Sequence, residues 1–594
     1  MITGNYFSDD TELMLMFERL VDWPAVVQAC EGEDFADHKR YLETEDERYG
    51  LAPSSVDEAI ELYRSTLDAM GEFWGKEVAP LSGDMDKAGL RFENGTVHFP
   101  PQLVELFEKY RDTGLIPFAI SREGGGLGLP VVVQALATMV MARGDVSFYM
   151  SINLLNLAQI VARYGSEDQI KGYAQPAAAG ETLFAMALTE PDYGSDLNNI
   201  RTTAEKQADG TYKLNGTKRY ISQGCGLGPY PASMMALART GKPGARGLSV
   251  FLVRGQDAQV AGIEHKMGIH SSPTCEIVFE DTPGELLGAE GQGLTKYTLG
   301  MTTLMRLGCA AGGAAGAAAS YFESEKYARE RVQFGKSIDQ IPAVAEMLER
   351  LRRETTGLRL FSLETGFSVD MYQHQQVRME KQGVPDREIR RNESNRHWHT
   401  LSALFTSLSK YYCSEKALEL CSVAIQIHGG AGYTEDYDVS RFFRDARINT
   451  IYEGTSQLHI GISVSMISAG MSETGYLRRY FDERLAELPE TSEFLQELRQ
   501  TLEEAVPLYK ELPGDGFREK YAEHLVLIGA RYMCSLLFER AVHKLGADAP
   551  AHWAEDMAAY HLDSVAIAQG ALYRIRNAGR VHAAGRSQAA SVSS

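Results

Sequence analysis

Apolar residues recur every three or four positions along much of the chain. Ile60, Tyr63, Leu67 and Met70 follow this spacing, which places them on one face of a helix. Residues 131–141 are apolar almost throughout and predict a helix that is buried on most sides. The helical period returns in the second half of the chain and continues into its C-terminal part.

A different pattern lies between these helical regions. Short apolar runs at 249–253 and 276–279 are bounded by glycine and proline, which is typical of strands. Residues 212–221 predict a hairpin, because Asn215-Gly216 can supply the two positive φ angles of a type I′ turn.

The order of these patterns predicts a mainly α fold with a β insert. We expect an N-terminal helical domain, a small antiparallel β domain, a C-terminal four-helix bundle and an extra C-terminal helical domain. The expected boundaries are an N-terminal extension at 1–56, the helical domain at 57–182, the β domain at 183–288, the bundle at 289–469 and the C-terminal extension at 470–594. Polar residues 373–399 interrupt the bundle pattern, and we interpret them as an insertion.

The charge balance argues against one class of function. The 594 residues include 80 acidic and 59 basic side chains, which give a formal net charge of −21. A general nucleic-acid binder needs a basic surface to displace counterions from phosphates, so no nucleic-acid partner is expected. No apolar run is long enough for a transmembrane span.

Cysteine usage and the N-terminal sequence bear on the compartment. The seven cysteines are scattered and odd in number, which is typical of a reduced chain inside the cell. The first residues lack the basic and then apolar pattern of a signal peptide. We therefore expect a cytoplasmic protein. No metal site is predicted, because the histidines and cysteines lack an established ligand spacing.

Two segments carry candidate chemistry. Residues 187–196 read either as a polar turn before the β domain or as part of a site. In residues 444–457, Glu453 precedes a glycine and lies near Thr455 or Ser456, either of which can cap the next helix. Taken alone, Glu453 is either an acid at a helix start or a functional carboxylate.

Four motifs together resemble the acyl-CoA dehydrogenase family. Residues 189–196 are similar to its T-E-P-x-x-G-S-D segment, and 451–457 to its I-Y-E-G-T-S-Q segment. Between them, 331–336 resemble R-x-x-F-G-K, and 426–432 resemble Q-x-x-G-G-x-G. The motifs occur in family order, and the resemblance covers about 57–470. The long C-terminus is similar to larger members, among them 3-methylmercaptopropionyl-CoA dehydrogenase and long-chain enzymes.

The resemblance implies an FAD enzyme that forms a 2,3-double bond in an acyl-CoA. Glu453 then matches the base that removes the α-proton while a hydride leaves the β-carbon for flavin N5. A closed apolar site with bound thioester is expected to raise the pKa of Glu453 towards that task. The implied substrate contacts are Ser195, Arg306 and Gly454.

The resemblance also implies the residues that hold FAD. Positions at the isoalloxazine ring are Thr189, Ser195, Tyr220, Ser222, Thr455 and Gln457. Positions at the pyrophosphate and adenine end, across a subunit interface, are Arg331, Phe334, Gln426 and Gly430. This interface implies a homodimer or homotetramer.

Partners and alternatives follow from the same resemblance. The expected partners are an acyl-CoA substrate and an electron-transferring flavoprotein as acceptor, in a pathway of fatty acid β-oxidation. Two other readings stay open from the sequence: an acyl-CoA oxidase that uses oxygen, and a catalytically silent member that serves as an assembly partner.

Overall fold

The computed structural model describes residues 1–580, which form two compact units. The first unit comprises Met1–Thr11, Asp22–Gly308 and Glu435–Ile448. The second comprises Glu12–Val21, Cys309–Thr434 and the chain from Asn449 onward. Across residues 1–580, no helix is both long and apolar enough to cross a membrane.

The N-terminal part is helical, as its periodicity predicts. Its helices are α1 (Thr11–Leu15), α2 (Trp23–Glu31), α3 (Ala36–Thr44), α4 (Val56–Phe73), α5 (Ser82–Ala88), α6 (Pro101–Asp112), α7 (Val131–Gly144), α8 (Val146–Leu155), α9 (Ala158–Tyr164), α10 (Glu167–Gln169) and α11 (Gln175–Ala178). A short hairpin of β1 (Arg91–Glu93) and β2 (Thr96–His98) lies between α5 and α6. Ser55 caps α4 by accepting a hydrogen bond from the backbone N–H of Glu58. Tyr63, Leu67 and Met70 of α4 are buried, and nearly every residue of α7 is buried.

The β insert is one seven-stranded sheet. Its strands are β3 (Leu183–Ala187), β4 (Thr203–Lys206), β5 (Tyr212–Ser222), β6 (Ala232–Arg239), β7 (Leu248–Arg254), β8 (Gln259–Ile263) and β9 (Thr274–Leu286). The strand order is β3-β6-β4-β5-β9-β7, and β8 pairs with β9. Most pairs are antiparallel, while β3 and β4 both run parallel to β6. Met234, Phe251 and Ile277 lie in the core of the sheet.

The prediction of a hairpin turn at Asn215-Gly216 is wrong. These residues lie inside β5, where Asn215 pairs with Thr203 and the register against β9 shifts between Leu214 and Gly216. A Cβ at Gly216 would lie 2.5 Å from Thr202 Oγ1. The glycine therefore permits a close approach of the neighbouring backbone at a bulge, not a turn.

Long helices form the second half of the chain, together with a small hairpin. In chain order they are α12 (Leu299–Glu330), β10 (Val332–Gln333), β11 (Lys336–Ser337), α13 (Pro342–Lys381), α14 (Asp386–Ile389), α15 (Glu393–His428), α16 (Val439–Ala446) and α17 (Ser456–Gly470). The insertion expected at 373–399 is mostly a continuation of two helices, since α13 extends through Lys381 and α15 begins at Glu393. Half-exposed helix faces accept these polar residues, which is why the apolar pattern fades there.

The C-terminal part adds further helices, which confirms the expected fold class. They are α18 (Tyr476–Ala486), α19 (Glu493–Lys510), α20 (Asp515–Arg518), α21 (Ala522–Leu545) and α22 (Trp553–Arg576). Arg531 of α21 donates to the buried carboxylate of Glu354 on α13 at 2.9 Å. The hydroxyls of Tyr412 and Tyr560 lie 3.0 Å apart and join α15 to α22. The five expected domain boundaries stay a prediction.

Candidate active site

The residues expected to form the site fall in both units. The first unit contains Thr189, Ser195, Tyr220, Ser222 and Arg306. The second contains Arg331, Phe334, Gln426, Gly430, Glu453, Gly454, Thr455 and Gln457.

A buried ion pair joins the Thr189 segment to β5. Lys218 Nζ lies 3.0 Å from Glu190 Oε1 and donates to the carbonyl oxygen of Leu188 at 3.0 Å. The same carboxylate accepts from the backbone N–H groups of Arg201 and Thr202, at 2.6 and 2.8 Å. The loop after β3 is therefore fastened both to β5 and to the start of β4.

Burial and pairing act against each other in this ion pair. Burial lowers the pKa of Lys218 to about 8, although the Glu190 carboxylate opposes this shift. Burial alone would raise the pKa of Glu190, but Lys218 and the hydrogen bonds from Thr202 and Arg201 outweigh it and lower that pKa. The pair thus stays charged at neutral pH.

Tyr220 presents an aromatic side chain at the end of this arrangement. It has a φ of 62° and a side chain that is 55% exposed, which is unusual for a bulky residue. The backbone N–H of Arg219 donates to the carbonyl oxygen of Thr189 at 2.9 Å, so the two segments are adjacent. Thr189 and Ser222 are half-buried, and Ser195 is exposed. An exposed ring with nearby hydroxyls fits a flat, polar-edged group such as the flavin ring.

A pocket lies in the same unit between α7, α8, α9 and the first turns of α12. The space between its lining residues is about 330 Å³, and this volume includes open solvent at the mouth. Its lining residues are Gln134, Ala135, Thr138, Asn153, Asn156, Gln159, Leu304, Met305, Leu307 and Gly308. Half of these ten side chains are amides or hydroxyls and none is charged, so the pocket suits an uncharged group with some polar character.

Hydrogen bonds orient the polar lining of this pocket. Asn153 Nδ2 lies 3.7 Å from Met305 Sδ, and Thr138 Oγ1 lies 3.3 Å from Tyr149 Oη. Gln223, which follows Ser222 in the chain, donates from Nε2 to Ser151 Oγ on α8 at 2.6 Å. The end of β5 is thereby tied to the helix that carries Asn153. Arg306 lies on the same part of α12 but is not among the lining residues.

Glu453 lies on a tight turn before α17 in the second unit. Glu453 and Gly454 both have left-handed backbone conformations, with φ of 56° and 97°. Thr455 is the residue that precedes α17, with a φ of −63° and a ψ of 160°, and its side chain makes no capping hydrogen bond. Glu453 is half-buried and Gln457 is exposed. The turn thus presents a carboxylate from a conformation that non-glycine residues seldom adopt.

The remaining candidates lie in the second unit, at or just beyond the C-terminal ends of α12 and α15. Phe334 and Gly335 form the left-handed turn between β10 and β11, and the Phe334 side chain is 93% exposed. Tyr327, near the end of α12, stacks on His428 at the end of α15 with ring centroids 4.2 Å apart. This stacking joins the end of α12, which precedes Arg331 and Phe334, to the end of α15, which carries Gln426 and precedes Gly430. All four residues are exposed.

Sequence reasoning missed the buried side chains that support these segments. Lys218, Lys410 and His459 are all buried and contact backbone carbonyl oxygens of the candidate segments. One sequence signal existed for Lys410, a charged residue within the otherwise apolar and hydroxyl-rich middle of α15. No comparable signal marks Lys218, because lysine is common in strands in which polar and apolar residues are mixed.

Comparison with known proteins identifies the family. Acyl-CoA dehydrogenase models match the N-terminal domain at 61–181, the middle domain at 185–282 and the C-terminal domain at 291–382 and 392–467. The 3-methylmercaptopropionyl-CoA dehydrogenase of Ruegeria pomeroyi is 33% identical over 477 residues, which cover 75% of this chain and 74% of that one.

Two solved structures share the fold. Butyryl-CoA dehydrogenase from Megasphaera elsdenii is 26% identical with a TM-score of 0.57, covering 68% of this chain and 97% of that one. An acyl-CoA dehydrogenase complexed with FAD from Bacillus anthracis is 23% identical with a TM-score of 0.70, covering 86% and 88%. The chain belongs to the acyl-CoA dehydrogenase family, and it is a flavin-dependent oxidoreductase that acts on acyl-CoA.

Proposed function

We propose that this chain binds FAD and converts an acyl-CoA into its 2,3-enoyl-CoA, with Glu453 as the base. The observation that carries this role is the presentation of the Glu453 carboxylate on a left-handed turn within a family-matched segment. Strained non-glycine residues cluster at functional sites, whereas an ordinary acid at a helix start needs no such conformation.

The proposed roles are flavin binding, proton abstraction and stabilisation of charge on the thioester. Bound FAD supplies the acceptor for the β-hydride at its N5 atom. Thr189, Ser195, Tyr220, Ser222, Thr455 and Gln457 are the proposed contacts of the flavin ring. Glu453 takes the α-proton, and its carboxylate must be ionised to do so. Charge that develops on the thioester oxygen is best met by backbone N–H donors.

We assign the tail of the acyl group to the pocket that is lined by Asn153 and Thr138. Its mixed polar and apolar lining favours a short, uncharged tail that carries a heteroatom over a long alkyl chain. One relative is named for a substrate of this kind, a thioether-bearing propionyl-CoA. Ser195, Arg306 and Gly454 are further proposed substrate contacts, and fatty acid β-oxidation is the broader process in which such chemistry occurs.

Assembly and electron transfer complete the proposal. Exposed Arg331, Phe334, Gln426 and Gly430 would hold the adenine end of FAD at the interface of a homodimer or homotetramer, and the exposed Phe334 ring supports such an interface. An electron-transferring flavoprotein is the proposed acceptor. The seven free cysteines are consistent with a reducing compartment such as the cytoplasm.

Replacing the base tests the proposal directly. Glu453→Gln keeps the shape of the side chain but cannot take the proton, so anaerobic flavin reduction by acyl-CoA is expected to slow by about 10²–10⁴-fold. FAD content and acyl-CoA binding are expected to survive. The exposed Glu490→Gln variant is the matched control and is expected to reduce normally.

A substrate panel then tests the pocket. The panel pairs plain acyl-CoAs of increasing length with thioether-bearing acyl-CoAs of matched length, and the rate of flavin bleaching is measured for each. Near-normal bleaching by Glu453→Gln would exclude it as the base. Faster bleaching by every longer plain chain would contradict the assignment of the pocket to a short polar tail.

A further inference from the structure

The backbone that carries Glu453 is held in a costly conformation. Glu453 and Gly454 are consecutive left-handed residues, and a residue with a Cβ meets steric resistance there. Such a conformation persists only where the surrounding structure over-determines it. The contacts that hold this turn therefore decide where the Glu453 carboxylate lies.

Two buried basic side chains bind the two consecutive carbonyl oxygens of the turn. Lys410 of α15 donates from Nζ to the carbonyl oxygen of Gly454 at 2.6 Å. His459 of α17 lies with Nε2 3.0 Å from the carbonyl oxygen of Glu453. A carbonyl oxygen only accepts, so the Nε2 atom that faces it carries a hydrogen. Both side chains are fully buried, so loss of either partner would leave a polar group unpaired in a site of low local dielectric.

Residues of α17 and α15 make further contacts with the turn. A Cβ at Gly454 would lie 2.6 Å from Leu458 Cδ2 and 2.9 Å from His459 Nε2. The hydroxyl of Ser456 contacts the carboxylate of Glu415 on α15. Helix α15 thus contacts the segment through Lys410 and Glu415. Helix α17 contacts it through Leu458 and His459 of its own first turn.

We propose that Lys410 and His459 are positioning residues for the base. They fix the two peptide planes that follow the Cα atom of Glu453, and so they fix the direction in which its side chain leaves the backbone. This inference rests on the proposed role of Glu453. Loss of either donor releases one peptide plane, and a displacement of about 1 Å is enough to cost about 10²-fold in rate.

The chain supplies a matched control for the burial of a lysine. Lys416 lies on the same helix as Lys410 and is also buried, but its ammonium contacts the carboxylates of Glu419 at 2.6 Å and Glu354 at 3.8 Å. Removing Lys416 therefore disturbs a buried charge without releasing a carbonyl oxygen of the Glu453 turn. A general effect of losing a buried lysine would appear in both variants.

The experiment compares variants with and without a donor in the full-length, FAD-loaded enzyme. Lys410→Met and His459→Phe lack the donor, whereas Lys410→Arg and His459→Gln retain one. At saturating acyl-CoA, flavin reduction is expected to slow by about 10–10²-fold in the variants without a donor, with little change in the acyl-CoA dissociation constant. The variants that retain a donor are expected to recover most of the rate, and Lys416→Met is expected to keep it.

A second measurement reports on the turn without any turnover. Amide hydrogen exchange of residues 449–457, followed by mass spectrometry in the absence of acyl-CoA, is expected to rise in Lys410→Met and His459→Phe but not in Lys416→Met. Unchanged reduction and exchange in the variants without a donor would overturn the inference, as would equal losses in Lys410→Met and Lys416→Met.

Glu453→Gln, measured in parallel, separates this inference from the proposed function. If Glu453→Gln reduces its flavin normally, the proposed base is wrong and the positioning role falls with it. If Glu453→Gln is inactive while Lys410→Met and His459→Phe both reduce their flavin at the normal rate, Glu453 remains the proposed base and only the positioning role is overturned.

Discussion

In the first unit, Lys218 fastens the Thr189 loop to β5 through the carboxylate of Glu190. In the second, Lys410 holds the Glu453 turn through a backbone carbonyl oxygen. Both lysines are fully buried, and both support a segment that carries candidate chemistry. They differ in that the Lys218 ammonium contacts a carboxylate as well as a carbonyl oxygen. They also differ in the role proposed for the supported segment, which is flavin binding in the first unit and proton abstraction in the second.

The two lysines are therefore expected to affect different quantities, the free energy of unfolding for Lys218 and the rate of flavin reduction for Lys410. Removing one partner of a buried ion pair leaves an uncompensated charge and costs about 3–5 kcal/mol. Removing a donor from a carbonyl oxygen leaves an unpaired acceptor, which costs about 1–3 kcal/mol. We therefore expect changes at Lys218 to act mainly on folding and flavin retention, and changes at Lys410 to act mainly on flavin reduction.

The largest effect on stability is expected from Lys218→Met. The variant leaves the buried Glu190 carboxylate with its backbone donors but without its cation, so the free energy of unfolding is expected to fall by about 3 kcal/mol or more. Urea denaturation and the FAD content after purification measure the change. Lys213→Met on the same strand is the control, because Lys213 is exposed and its loss is expected to cost little. Equal losses in the two variants would remove the distinction on which the comparison rests.

Removing both charges is expected to cost less than the two single changes together. In Lys218→Met combined with Glu190→Gln, no buried charge remains. The N–H groups of Arg201 and Thr202 bind different oxygens of Glu190, so the single amide oxygen of the glutamine can still accept from one of them. A double-mutant cycle from urea denaturation is expected to give a coupling of about 2 kcal/mol. Additive losses would mean that the ion pair is not what joins the loop to β5.

Gly454→Ala is expected to weaken the Glu453 turn by about 1–2 kcal/mol, because its φ of 97° resists a Cβ. The added methyl would also press on Leu458 and His459, so flavin reduction is expected to slow as well. Thermal denaturation and stopped-flow reduction give the two values. Gly461→Ala, on α17 in open space, is the control and is expected to stabilise the helix slightly. A normal reduction rate in Gly454→Ala would show that the turn tolerates movement.

The smallest expected effect is a dependence of the free energy of unfolding on pH that arises from Lys218. Its folded-state pKa of about 8 lies below that of an unfolded lysine, so above pH 8 the unfolded chain binds more protons than the folded chain. The free energy of unfolding therefore gains a contribution that rises with pH, by less than about 1 kcal/mol between pH 7.5 and 8.5. The difference between the wild type and Lys218→Met isolates it. A contribution that falls with pH would contradict the lowered pKa.

Several features of the fold could be read from local pattern. The spacing of Tyr63, Leu67 and Met70 predicted the buried face of α4, because a helix places such residues on one side whatever it packs against. The Asn215-Gly216 pair misled for a related reason. The same dipeptide occurs in turns and in bulges, and only the position of Thr202, just before the neighbouring strand β4, decides between them.

For the site, the sequence alone identified the family and the segments that carry its motifs, because these residues are close together in the chain. It could not identify Lys218 or Lys410 as supports, since their partners Glu190 and Gly454 lie 28 and 44 residues away. A charged residue seen in sequence is most often solvated. Whether it is instead buried against a carboxylate or a carbonyl oxygen depends on which segments the packed core brings together, and only the tertiary structure decides that.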